Sequence, residues 1–124
     1  MDLKVKEYIS ALRRADVKEI KKGMNETTVN MSSPYRAYDV FVGRRCWKDA
    51  ERVVSFSNWD PNYRIVDGLL PEERAALNGK KKLALSVIKH PNYNPDFAHR
   101  KEGTGPFAEK LQQWLNESRA KTRG

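Results

Sequence analysis

The spacing of apolar residues changes period along this chain, and each change marks a new element. Within residues 3–22, Val5, Tyr8, Ile9 and Leu12 recur at helical spacing, and Val17, Ile20 and Met24 continue a rotated stripe. Asp16 followed three positions later by Glu19 reads as a capping box, so the pattern predicts a break near Ala15 and a second short helix stopped at Gly23. Two short helices joined in this way raise the helix-turn-helix arrangement, but the second is brief and no third helix follows at once. A bent helix is the simpler expectation. Residues 25–34, rich in Asn, Thr and Ser, read as a connection.

The period then shortens. In residues 36–42, Tyr38, Val40 and Val42 alternate with Ala37 and Asp39, which predicts a strand with one buried face. Residues 52–57, with Val53, Val54 and Phe56, predict another. The intervening residues 43–51 are long for a tight hairpin and read as a projecting loop or a short helical turn. A turn at 58–62 leads to a short strand at 63–66, ended by Asp67-Gly68. Pro71, Glu72 and Glu73 suit the first turn of a helix that Asn78-Gly79 would close. The apolar run 83–88 predicts a central strand, and 90–105, rich in Pro, Asn and Gly, an ordered surface loop. Thr104-Gly105-Pro106 opens a last helix whose Phe107, Leu111, Trp114 and Leu115 share a stripe, with a frayed tail from about residue 118. No internal repeat is visible. The expected fold class is α+β: a small, mostly antiparallel sheet of three to four strands packed by an N-terminal helix, a short middle helix and a C-terminal helix. It forms one domain over residues 1–124.

Composition adds a partner class. The chain carries 24 Lys and Arg against 16 Asp and Glu, a net charge of +8, and 32% of its residues are charged. Such an excess favours nucleic acid, an anionic surface or an acidic protein. The excess gathers in the first 25 residues and the last third, while the middle is near neutral. No apolar run approaches the ~20 residues of a membrane span, and the N-terminal pattern lacks the apolar block of a secretory signal. The single cysteine, Cys46, excludes an internal disulfide, and a cytoplasmic location is expected.

Chemistry-bearing patterns are sparse. Cys46, His90 and His99 are too scattered for a metal-binding spacing, and no cofactor-binding motif is present. Cys46 has the cationic neighbours Arg44, Arg45 and Lys48 that favour a thiolate, but a nucleophile also needs a positioned base. Asn78-Gly79-Lys80-Lys81-Lys82 lacks the spaced glycines of a phosphate-binding loop, although Lys80, Lys81 and Lys82 form a possible phosphate-contact cluster. The most suggestive segment is Arg44-Arg45-Cys46-Trp47-Lys48 with Arg52 behind it. An exposed Trp47 there would stack a base while the cations hold phosphates, with Trp59 and Tyr63 extending the platform. Burial of Trp47 as an anchor of the loop is the competing expectation. The second segment is residues 89–101, where Arg100 and Lys101 supply charge and His90, Tyr93, His99 and Arg100 are the groups expected around a small anion.

Three functions fit these residues, in descending order. The first is a non-enzymatic nucleic-acid-binding domain using Arg44, Arg45, Trp47, Lys48, Arg52, Trp59, Tyr63, Lys80, Lys81, Lys82, Arg100 and Lys101, with single strands or RNA favoured because no recognition helix is evident. The second is a small inhibitor or adaptor docking on an acidic protein surface. The third is a binder of a small anionic ligand such as a nucleotide, or an enzyme acting on one. Oligomeric state is not encoded in any pattern here.

Overall fold

A computed structural model describes residues 3–101 and 108–123, and among these every regular element is a helix. The α+β expectation is therefore overturned: the only β-type pairing in the described residues is one isolated bridge between Ser32 and Arg36. The helices are α1 (Leu3–Arg14), α2 (Val17–Gly23), α3 (Ala37–Gly43), α4 (Trp47–Ser55), α5 (Pro71–Leu77), α6 (Lys81–Ile88), α7 (Ala98–Lys101) and α8 (Ala108–Arg123). The expected strand at 36–42 is α3. The expected loop and strand over 43–57 supply α4, the expected central strand at 83–88 lies in α6, and the segment 63–66 is irregular.

The physical reason is burial on more than one side. In α3, Ala37, Tyr38, Val40, Phe41 and Val42 are all buried, so its apolar residues are not confined to one stripe and give no helical period. Short apolar runs of this kind cannot be assigned by periodicity alone. In α4, Ala50, Val53 and Val54 are buried at the i, i+3, i+4 spacing of a helix, a stripe hidden when the window starts at Arg52. In α6, Leu83, Ala84 and Val87 fall at i, i+1 and i+4, again one side of a helix.

The first six helices form three pairs, and each pair turns through the same device. A residue at positive φ ends the first helix: Ala15 (φ 52°), Arg45 (φ 60°) and Gly79 (φ 69°). The amide of that residue donates to the carbonyl three back, and the next amide donates to the carbonyl five back. The second set is Asp16 to Leu12's neighbour Ala11 at 3.0 Å, Cys46 to Phe41 at 2.7 Å and Lys80 to Ala75 at 2.9 Å. This is the Schellman arrangement of a helix C-terminus, and the residue that completes it is also the N-cap of the next helix. Asp16 fills that role with its side chain, which accepts from the Glu19 amide at 3.2 Å, as the sequence pattern implied.

The pairs α3–α4 and α5–α6 match residue for residue at one constant offset. Asp39 and Glu73 cap their own helices by accepting from the amides of Arg36 (3.3 Å) and Leu70 (2.9 Å). Arg45 and Gly79 make the turn, and the fully buried Ala50 and Val53 correspond to the fully buried Ala84 and Val87. A structural repeat is thus present, marked in the residues only by scattered identities such as Ala50 with Ala84 and Val53 with Val87. Its packing follows the same logic, with α3 against α5 and α4 against α6. The second helices α4 and α6 run side by side in the same direction: Lys80 lies over Trp47 at their N-terminal ends, and His90 bonds Phe56 at their C-terminal ends. α8 continues the layer by packing on α6, with Lys81 paired to Glu117 at 2.5 Å and Lys89 bonded to Ser118. Successive helix pairs that touch mainly their neighbours build a short solenoid-like stack.

The connections are held by side-chain amides. Asn30 donates to the carbonyl of Asn58 (2.8 Å) and accepts from the Asp60 amide (2.8 Å), while Asn92 donates to the carbonyls of Ser57 (2.8 Å) and Trp59 (2.9 Å). Among the described residues no helix is long and apolar enough to cross a membrane. The residues expected to open the last helix, Thr104-Gly105-Pro106 and Phe107, lie outside the described residues, and Leu111 and Trp114 pack against the core.

Candidate nucleic-acid interface

The expected cations do not form one site. Arg44 and Arg45 are exposed at the α3–α4 turn, and Lys48 and Arg52 are exposed on α4. Because Lys48 and Arg52 are four positions apart, they share one face of that helix. Lys80 joins this region by lying 5.2 Å from the ring centre of the half-buried Trp47, and Lys82 is exposed in the first turn of α6. Lys81 instead faces α8 through its pairing with Glu117. The side chains of His99 and Lys101, on α7, fall outside the described residues.

The expected stacking platform is not assembled. Trp59 is fully buried, with its ring 5.2 Å from Tyr38 and 5.5 Å, edge-on, from His90. Tyr63 is half-buried beneath the Arg36 guanidinium, 3.9 Å from its ring centre, and its hydroxyl donates to Asp39 at 2.9 Å. Trp47 and Trp114 are half-buried, each with a lysine over the ring.

Arg100 belongs to the fold rather than to the surface. Its side chain is 5% exposed and pairs with Glu72, itself 4% exposed, at 2.8 Å. A guanidinium offers five donors, and all are used here. Nε and Nη2 donate to the two Glu72 oxygens (2.8 and 3.1 Å), Nη1 to Asn62 Oδ1 (2.6 Å) and the Asn94 carbonyl (3.1 Å), and Nη2 also to the Pro61 carbonyl (2.9 Å). The plane stacks on Tyr93, 4.0 Å from its centre. A cleft of about 450 Å³ does adjoin Tyr93 and Arg100, but Arg100 has no donor left for an anion, and Glu72 and Glu73 add negative charge to the wall. His90, 7% exposed, accepts the Asn92 amide at Nδ1 (3.1 Å). Its Nε2 therefore carries the proton and donates to the Phe56 carbonyl at 2.8 Å.

Cations converge elsewhere, between α2 and α4. Val17, Lys18, Lys21 and Lys22 on α2 and Arg52 on α4 line an open groove of about 520 Å³. The two helices are tied by Lys21 to Asp49 (3.5 Å) and by Arg52 Nη1 donating to the Lys21 carbonyl (3.4 Å). Lys22 pairs with Glu19 at 3.4 Å, while Lys18, Lys48 and Lys82 make no ion pair among the described residues. On the other side of α4 lies a second groove of about 550 Å³, where Lys82 and Ser86 of α6 and Lys89 just after it face Glu51 and Ser55 of α4. The sequence showed the lysines of α2 as a charge excess, but nothing in the residue order places them beside Arg52.

A separate pocket of about 300 Å³ lies between α3 and α5, with an apolar wall that includes Val40, Val42 and Ile65 and with Asp39 at its edge. Burial pushes the Asp39 carboxyl up to about 6, against the lowering effect of the Arg36 amide and the Tyr63 hydroxyl. A folded-state pKa above the unfolded value means that the native state holds this proton more tightly. Its stabilising contribution is therefore full below about pH 4 and is lost as pH rises through about 6. Asp39→Asn is expected to gain on the parent by about 2–3 kcal/mol between pH 4 and pH 7.5, measured by urea unfolding at each pH. A difference that stays constant over that range would contradict this assignment.

No family model, curated protein or solved structure matches the chain, so its function is argued from its own geometry.

Proposed function

We propose that the chain is a non-enzymatic nucleic-acid-binding domain that holds phosphates on the outer surface of its second helices. The observation that carries this reading is the groove between α2 and α4, where Lys18, Lys21, Lys22 and Arg52 converge from two helices on one open surface. Exposed cations on rigid helices supply phosphate contacts without side-chain ordering elsewhere, and such contacts dominate affinity for a polyanion. The net charge of +8 adds long-range attraction that speeds encounter.

Fluorescence anisotropy on labelled nucleic acids over a salt series tests the reading. Lys18→Glu with Arg52→Glu is expected to weaken binding at least tenfold near ~0.1 M salt, with an unchanged thermal melt. The control is Lys6→Glu on α1 with Lys110→Glu on α8, which removes the same charge away from the groove. It is expected to weaken binding no more than threefold. Equal losses in the two double variants would reduce the interaction to the general attraction of a basic protein and overturn the proposal.

A further inference from the structure

The arrangement around α4 suggests which form of nucleic acid fits. The helix carries Lys48, Arg52 and Ser55 on its outward side, since positions 48, 52 and 55 lie within one arc of a 3.6-residue helix. The α2/α4 groove lies on one side of that crest and the α4/α6 groove on the other. Each groove has lysines on its far wall: Lys18, Lys21 and Lys22 on α2, and Lys82 on α6 with Lys89 just after that helix, where it also bonds Ser118. The order across the surface is thus cationic wall, groove, cationic crest, groove, cationic wall.

We infer that the partner is duplex DNA lying across α4, with one phosphate backbone directed to each groove; this rests on the nucleic-acid reading above. The dimensions agree. An α-helix with its side chains is about 10–12 Å across, and the major groove of B-form DNA is about 12 Å wide between its two backbones. A helix crest set at the mouth of that groove leaves the flanking backbones over the hollows on either side. A single strand has one backbone and can occupy only one hollow at a time.

The second observation is what the two grooves lack. No Trp, Tyr or Phe lines either of them. Binding of single strands without sequence preference draws on bases stacked on aromatic rings, at about 1–3 kcal/mol per base. That contribution is missing from the two grooves, while contact with two backbones is sequence-independent and needs only cations at the right separation. Glu51, in the α4/α6 groove, makes that side the weaker of the two.

The test compares a labelled ~16-base-pair duplex with a single strand of equal length by anisotropy, using the full chain, Lys18→Glu on α2 and Lys82→Glu on α6. The expected result is at least tenfold tighter binding of the duplex. Each single variant should lower duplex affinity at least fivefold, and the double variant should lose the product of the two. Each variant should also reduce the salt slope by about one. Equal or tighter binding of the single strand would overturn the inference, as would duplex binding insensitive to Lys82→Glu. Either result leaves the nucleic-acid reading standing so long as Lys18→Glu still weakens binding. Absence of binding to both probes would overturn the reading itself and point to an acidic protein surface.

Discussion

Replacing Arg100 with alanine is expected to cost about 3–5 kcal/mol of folding stability, the largest loss for any charged residue among those described. The cost arises because the substitution strands Glu72. That carboxylate is 4% exposed, and both of its oxygens accept from Arg100; without the guanidinium it keeps, among the described residues, the hydroxyl of Tyr93 at 3.3 Å. The same change removes the guanidinium donor from the Pro61 carbonyl, leaves the Asn94 carbonyl with the Phe97 amide, and removes the plane that stacks on Tyr93. Four parts of the chain meet at this one side chain: α7, the loop before it, the loop before α5, and the first turn of α5. Lysine is expected to rescue little, because an ammonium cannot reproduce five planar donors. Removing both charges should be milder than removing one, so Glu72→Leu with Arg100→Met is expected to recover most of the loss. Chemical denaturation of the four proteins reads these differences directly. A loss below about 1 kcal/mol for the alanine variant, the range of exposed pairs such as Lys22–Glu19, would show that the pair is not the clamp described here.

Helix ends were more legible in the sequence than helix middles. Asp16 with Glu19, Pro71 with Glu72 and Glu73, and Asn78-Gly79 all mark true boundaries, because capping chemistry is local and depends on residues a few positions apart. The middles misled. Tyr38, Val40 and Val42 suit a strand by both spacing and side-chain shape, yet α3 is buried on several sides and tertiary packing overrides that preference. The stripe of Ala50, Val53 and Val54 was present but was divided between an expected loop and an expected strand. The repeat of α3–α4 in α5–α6 was hidden because few residues are identical: the capping acid (Asp39, Glu73) and the left-handed turn residue (Arg45, Gly79) keep only their roles, and the matching alanine and valine of the core are too sparse to stand out.

The candidate surface was legible in charge and illegible in arrangement. Arg52, Lys48 and Lys82 were singled out from sequence and do lie on the outer side of the second helices. Lys18, Lys21 and Lys22 join Arg52 only because α2 and α4 are brought side by side, a contact between residues some thirty positions apart in the chain. Arg100 shows the opposite case. A basic residue in a Pro- and Asn-rich loop looks like a surface contact, and nothing local reveals that Glu72 will meet it in the interior.

Trp59 separates a core role from a binding role most sharply. The residue is fully buried, and its ring contacts Tyr38 on α3 and His90 after α6, so it joins the loop after α4 to both layers of the stack. Tyr38 is in turn fixed by its hydroxyl, which donates to the Pro71 carbonyl at 2.8 Å, and His90 by its bond to Phe56. Trp59→Ala removes the largest fully buried side chain and leaves a cavity among partners that are themselves held in place. The expected loss is about 3–5 kcal/mol in denaturant unfolding. Trp59→Phe keeps part of the packing, should cost about 1–2 kcal/mol, and should remain folded for binding measurements. Its affinity for duplex and single-stranded DNA is expected to match that of the parent within twofold. A ring that stacked on a base would give a different result: a clear loss of single-strand affinity, with stability almost unchanged. That outcome would mean that Trp59 reaches solvent when nucleic acid is bound, and that aromatic stacking has to be restored to the account of this surface.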